Sequence, residues 1–302
     1  MNALLVPSNL KFLCKKYALT PSKKYGQNYL ISDAPIRKMI KAGELTQSDT
    51  VVEIGPGFGV LTLAMAPLVK RLVAFEIEKK LSEYWEEKQH EFPNVNLVWG
   101  NALKELKTRD WRLKIGAEYK VLANLPYQIT SHAIRTLLEL EHQPERIIIM
   151  VQKEVAERMC AKPRSAGSPR GDSAEPGQAH SQQAAMSLLA VSVQYYGTPE
   201  IITHVPKGSF WPAPKVDSAV VAITNIQERP GAEEFFRFVR AGFSSKRKQL
   251  WKNLSSGLDI SGETVKAVLE KVVGNEKVRA EELSVEEWIC VKEALQDNKE
   301  SL

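Results

Sequence analysis

The chain has 302 residues, 43% hydrophobic and 25% charged, the profile of a soluble globular protein with room for one large α/β domain and a smaller second one. Its net charge of +5 is mild, and points to a polyanionic partner only if Lys and Arg gather beside a pocket. Cys14, Cys160 and Cys290 lie too far apart for a zinc or dithiol motif, and no signal peptide or membrane-length apolar run is present, so a cytoplasmic protein with reduced thiols is expected.

Taken in chain order, short β-rich runs alternate with amphipathic stretches between Thr50 and Val151. Strands are expected at Thr50–Ile54, Leu72–Glu76, Val95–Trp99, Lys120–Ala123 and Arg146–Val151, with helices at Val60–Val69, Lys79–His90 and Thr130–Glu139. Such alternation predicts an α/β fold with a doubly wound, Rossmann-like sheet that binds ligands beyond the carboxyl ends of its strands. Residues 162–185 are rich in Ser, Gly, Pro, Ala and Gln and read as a flexible insertion. Order is expected to resume at Met186, with a further strand at Val216–Ile223 and helices from Ala232 onward. The expected division is a catalytic domain over residues 1–225 and a helical domain over 226–302. The last helix carries a capping-box signal, Ser284-Val285-Glu286-Glu287.

Three strand ends suggest a cofactor site. Gly55-Pro56-Gly57-Phe58-Gly59 turns a strand into a helix, and glycine lets backbone approach a ligand there. Alone it fits a dinucleotide site or a plain tight turn. The Gly-x-Gly-x-Gly spacing departs from the pyrophosphate-binding fingerprint, however, and Pro56 lacks an amide for a phosphate. A nucleoside ligand without pyrophosphate, such as S-adenosylmethionine, fits better. Glu76, ending the next strand, alone fits a solvent-facing Glu equally well, but after the glycine motif it is read as the acceptor of both ribose hydroxyls. Asn101 after the third strand can meet the adenine, with Trp99 or Ile77 packing on its face, or can simply be a turn residue.

The fourth strand end reads Asn124-Leu125-Pro126-Tyr127. An adenine amino nitrogen is a poor nucleophile because its lone pair is delocalised into the ring. An Asn oxygen and a backbone carbonyl, each accepting one N–H, draw the nitrogen towards tetrahedral geometry. Pro126 stiffens the turn and Tyr127 offers a ring for stacking. No strong general base is required, and alignment can supply roughly 7–11 kcal/mol. The target adenine has to be unpaired or flipped out. An ordinary turn has the same sequence; position after three cofactor-type strand ends favours chemistry.

These motifs, in this order, resemble the small-subunit ribosomal RNA adenine dimethyltransferase family over nearly the whole chain. The resemblance also rests on Tyr25–Leu30, Val151–Ala156, the run Phe210-Trp211-Pro212-Ala213-Pro214-Lys215-Val216-Asp217-Ser218-Ala219-Val220-Val221, and Arg279–Ser284. It implies S-adenosylmethionine binding by Asn28, Leu30, Gly55, Glu76, Asn101 and Asn124, catalysis by Asn124, Leu125, Pro126 and Tyr127, and a base-holding role for Phe210. It also implies dimethylation of two adjacent adenines in a hairpin near the end of small-subunit ribosomal RNA, on an assembling subunit, by a monomer without membrane contact. The family usually has Asp at the position of Asn101, so loss of charge assistance is expected to weaken cofactor binding.

Lys23 and Lys24 near the N-terminus, and Lys246, Arg247 and Lys248 at an expected helix start, are the RNA-binding candidates. Rival readings are a large-subunit adenine methyltransferase of the antibiotic-resistance type, a non-catalytic RNA-binding assembly factor, and a nicotinamide dehydrogenase. Arg279–Ser284 argues against the first, the intact loop at Asn124 against the second, and the glycine spacing against the third.

Overall fold

The computed structural model describes residues 3–21, 28–108, 111, 115–116, 118–163 and 185–300; most of the expected insertion at 162–185 lies outside them. In chain order the strands are β1 (Tyr29–Leu30), β2 (Thr50–Ile54), β3 (Arg71–Glu76), β4 (Val95–Trp99), β5 (Lys120–Asn124), β6 (Arg146–Gln152), β7 (Thr198–Val205), β8 (Phe210–Trp211) and β9 (Ser218–Thr224). The described helices are α1 (Pro7–Lys16), α2 (Asp33–Gly43), α3 (Thr62–Met65), α4 (Ser82–Gln89), α5 (Ala102–Glu105), α6 (Thr130–Leu138), α7 (Lys153–Met159), α8 (Leu188–Tyr196), α9 (Ala232–Gly242), α10 (Leu250–Leu258), α11 (Gly262–Val273) and α12 (Val285–Glu300).

Two compact units emerge: residues 1–156 with 197–227, and residues 157–196 with 228–302. The first is built on a seven-stranded sheet of order β4-β3-β2-β5-β6-β9-β7. Its five leading strands are parallel, as their βα connections require. Strand β9 runs antiparallel between β6 and β7. Every residue from Ile147 to Val151 is buried, the pattern of a strand covered on both faces. Leu10, Ile36, Met39, Val51, Leu72 and Leu122 belong to one continuous core.

The chain steps outward from β2 through β3 to β4, then returns to β5 on the other side of β2. Such a reversal is a switch point, where the two following loops part and leave a crevice. Pairing between β2 and β3 runs from Thr50 to Ile54, whereas the β2–β5 ladder joins Val51 and Val52 to Lys120 and Val121. The crevice therefore opens beyond the carboxyl ends of β2 and β5.

Several boundaries differ from expectation. The helix read at Val60–Val69 is α3 followed by a 3₁₀ turn at Ala66–Leu68, where Pro67 removes an amide from the helical ladder. The strand read from Val216 begins at Ser218, because Asp217 is drawn into turn bonds: its Oδ1 accepts from Lys207 N and its carbonyl from Lys153 N.

In the second unit, Gln194 of α8 donates to the carbonyls of Met159 and Ala161. Tyr195 stacks on Phe235 with centroids 4.2 Å apart. The capping box forms as read: Glu287 N donates to Ser284 Oγ and Ser284 N to the Glu287 carboxylate, at 3.1 and 2.7 Å.

Candidate functional site

One cavity collects the carboxyl ends of β2, β3, β4 and β5. Its lining includes Leu10, Asn28, Tyr29 and Leu30 from the N-terminal segment, Glu53 to Phe58 from β2 and its loop, Glu76 and Ile77 after β3, Gly100 to Leu103 after β4, Asn124 to Gln128 after β5, and Phe210. All four strand ends singled out in the sequence thus meet in one place.

Within the glycine loop, Gly55, Gly57 and Gly59 have φ of 74°, 57° and 83°, values that side chains rarely adopt. Two aromatics of α4 fix the loop from behind. Tyr84 Oη donates to the Phe58 carbonyl at 2.7 Å and Trp85 Nε1 to the Gly57 carbonyl at 2.9 Å. The sequence reading missed both, since residues on a following helix carry no motif that ties them to a loop before it.

Glu76 is 5% exposed, not solvent-facing. Its Oε2 accepts from Gly57 N at 3.0 Å, and its Oε1 from Ile77 N and Glu78 N, both at 2.8 Å. A carboxylate has about four acceptor sites, so one remains, on Oε2. Burial pushes the Glu76 carboxyl above the usual range, and the three backbone donors oppose that rise. The amide of Gly57 is thereby spent on a carboxylate rather than offered to a phosphate. Among the described residues the cavity lining holds two carboxyls, Glu53 and Glu76, and neither Lys nor Arg. A pyrophosphate would be repelled; a nucleoside carrying positive charge fits.

Asn101 is the N-cap of α5, with Oδ1 accepting from Leu103 N at 3.0 Å. The turn role and the pocket role weighed in the sequence therefore coincide in one residue. Of the two candidates for an apolar ring contact, Ile77 lines the cavity and Trp99 does not.

Asn124 ends β5, half-buried in the cavity wall, with β6 pairing up to Met150 behind it. Leu125 is buried and its amide donates to the Met150 carbonyl. Pro126 has φ −56° and ψ 130°, and its carbonyl accepts from Ile129 N and Thr130 Oγ1. Tyr127 Oη is 2.7 Å from Oγ of Ser218, a buried residue at the start of β9. Burial raises the Tyr127 phenol above its ordinary value, against the opposing effect of Ser218. Ser218 stood inside a quoted run without a role of its own; nothing in the sequence shows that β9 reaches back to the β5 loop.

Phe210 is 3% exposed and forms part of the cavity wall. The pairing of β1 with β8 sets Leu30 opposite Phe210 and Tyr29 opposite Trp211, which carries Asn28 and Leu30 to the same wall.

The RNA-binding candidates separate from this group. Lys23 and Lys24, like Tyr25 to Gln27, lie outside the described residues. Lys246, Arg247 and Lys248 are exposed, but they do not start a helix as expected. They occupy the turn between α9 and α10, because α10 begins only at Leu250, after its N-cap Gln249.

The family model described as ribosomal RNA adenine dimethylase matches residues 19–170 and 174–297. A ribosomal RNA small subunit methyltransferase A of Dehalococcoides mccartyi is 37% identical over 290 residues, 94% of this chain and 92% of its own. Its counterpart in Bacillus pumilus is 33% identical over 304 aligned positions, 97% of each chain. The crystal structure of a dimethyladenosine transferase from Plasmodium falciparum matches with a TM-score of 0.67 at 25% identity, covering 90% of this chain and 98% of that one. With the match running through both units and through every motif of the cavity, the chain belongs to the ribosomal RNA adenine dimethylase family.

Proposed function

We propose that this protein dimethylates N6 of two adjacent adenines in a hairpin near the 3′ end of small-subunit ribosomal RNA, with S-adenosylmethionine as methyl donor. It acts as a cytoplasmic monomer on the assembling subunit. No described helix is long and apolar enough to cross a membrane. The observation that carries the reading is the position of Asn124–Tyr127 in the wall of a cavity that also holds Glu76 and the glycine loop. The names of the bacterial relatives support the small subunit as target over the large one.

The residues present fit the cofactor. The remaining acceptor site on Glu76 Oε2 takes a ribose hydroxyl, Ile77 packs against the adenine, and Asn101 meets its amino edge. Asn28 and Leu30 close the wall on the β1 side. When bound, S-adenosylmethionine supplies a methyl group already activated by its sulfonium.

The chain's own part is alignment. The Asn124 carboxamide oxygen accepts one N–H of the target amino group. The Pro126 carbonyl is occupied by Ile129 and Thr130, so the Leu125 carbonyl is the backbone acceptor for the other N–H. Tyr127, its ring held by Ser218, stacks on one face of the base, and Phe210 packs beside it. Asn124→Ala is expected to lower methyl transfer by on the order of 10²-fold while S-adenosylhomocysteine still binds. Full activity of that variant would remove the proposed chemistry.

A further inference from the structure

One buried acid in the cavity has no task in this scheme. Glu53 stands on β2, two residues before Gly55, and is 2% exposed. Its Oε2 has no hydrogen-bond partner among the described residues. An unpaired carboxylate in such a place is costly to keep, and a neutral carboxyl is the way out. Burial pushes Glu53 up to about 8, the nearby Glu76 carboxyl adds to the rise, and the Thr62 hydroxyl opposes it.

The surroundings offer no resident cation to reverse this. From α3 comes Thr62, from β3 Glu76, and from β1 Tyr29, whose hydroxyl is itself pushed up by burial. Next to Tyr29 lies Cys14 of α1, also raised by burial. On the neighbouring β5, Val121 to Ala123 are apolar, and Lys120 is engaged with Asp49 and the Glu44 carbonyl. The remaining titratable residues of the lining are Tyr127, in the loop after β5, and His132 of α6.

We propose that Glu53 is the proton-linked acceptor for the amino-acid end of S-adenosylmethionine: neutral in the cofactor-free protein, it releases its proton to solvent when the α-ammonium group settles beside it. The proposal rests on the cofactor reading given above. The balance is simple: a carboxylic acid and an ammonium ion become a carboxylate–ammonium pair and one proton in solution. The α-ammonium of an amino acid stands beside its own carboxylate and keeps its proton through neutral pH. Below about pH 8, where Glu53 is neutral in the cofactor-free protein, binding therefore releases a proton and affinity falls as pH drops.

The test is calorimetry from pH 6 to 9 in buffers of different ionisation heat. The ligands are S-adenosylhomocysteine, which has the ammonium, and 5′-methylthioadenosine, which keeps the nucleoside and sulfur but lacks it. Expected for the unaltered protein at pH 7 is release of nearly one proton with S-adenosylhomocysteine, and an affinity that falls up to about tenfold per unit below pH 7. Expected with 5′-methylthioadenosine are no release and a flat profile. Because both ligands carry the ribose, this comparison separates Glu53 from Glu76 without any substitution. Glu53→Gln is expected to bind S-adenosylhomocysteine more weakly, with proton release abolished at pH 7. Equal release with both ligands, or release retained in Glu53→Gln, overturns the proposal. Failure of both ligands to bind overturns the cofactor reading and this proposal with it.

Discussion

In the proposed cofactor site, Asn101 would combine two duties that an Asp divides between two oxygens. Its Oδ1 caps α5 through Leu103 N, and the same atom is the acceptor available to an adenine amino group. Asn101→Asp keeps the cap on one oxygen and frees a charged second one, so S-adenosylmethionine should bind about fivefold more tightly, roughly 1 kcal/mol. Unchanged affinity in calorimetry would show that having Asn rather than Asp at this position has no consequence. Ser218 acts on Tyr127 from the far side. Ser218→Ala should lower kcat while leaving S-adenosylhomocysteine affinity unchanged, because it frees the ring without touching the cofactor wall; equal loss of both would mean the cavity itself has shifted. Glu53 adds a pH signature to stability. Its folded value of about 8 lies above the ordinary 4.5. The stabilisation from holding it neutral is complete below about pH 4.5 and disappears as pH rises towards 8. Cofactor-free protein should therefore lose more of its Tm between pH 5 and 8 than Glu53→Gln does, and parallel curves would contradict the raised value.

At the scale of elements, the glycine loop is braced as much from α4 as from its own sequence. A Cβ on Gly59 would sit 2.7 Å from the Trp85 ring at a φ of 83°, and Trp85 is buried and bonded to the Gly57 carbonyl. Gly59→Ala should cost about 2–5 kcal/mol, read from denaturant unfolding. A loss below 1 kcal/mol would mean that α4 yields. The parallel strands were legible because β-rich runs such as Val51-Val52 and Ile147-Ile148-Ile149 alternate with amphipathic helical stretches. Strand β7 was not, since Thr198–Val205 is an edge strand with a Pro at its second residue, mixed exposure and a bulge between Ile201 and Thr203. Of the cavity lining, Gly55, Glu76, Asn101 and Asn124 were legible because each stands at or just beyond the carboxyl end of a strand. Ser218, Tyr84 and Trp85 were hidden because they act across the fold, and Glu53 because a strand residue beside glycines reads as core.

At the scale of the molecule, chemistry and the described basic turn belong to different units. The cavity lies in the first, whereas Lys246, Arg247 and Lys248 stand exposed in the second. Reversing all three charges should weaken RNA binding at least about tenfold and reduce its salt slope by roughly two, with S-adenosylhomocysteine affinity untouched. Unchanged RNA binding would place the phosphate contacts elsewhere. The most direct test of the central claim is methyl transfer from labelled S-adenosylmethionine to small subunits and to large-subunit RNA, both lacking the modification, with the product mapped to the nucleotide. The expected result is label on N6 of two adjacent adenines of the small-subunit 3′ hairpin, lost in Asn124→Ala. Label on large-subunit RNA, or on any atom other than adenine N6, would contradict it.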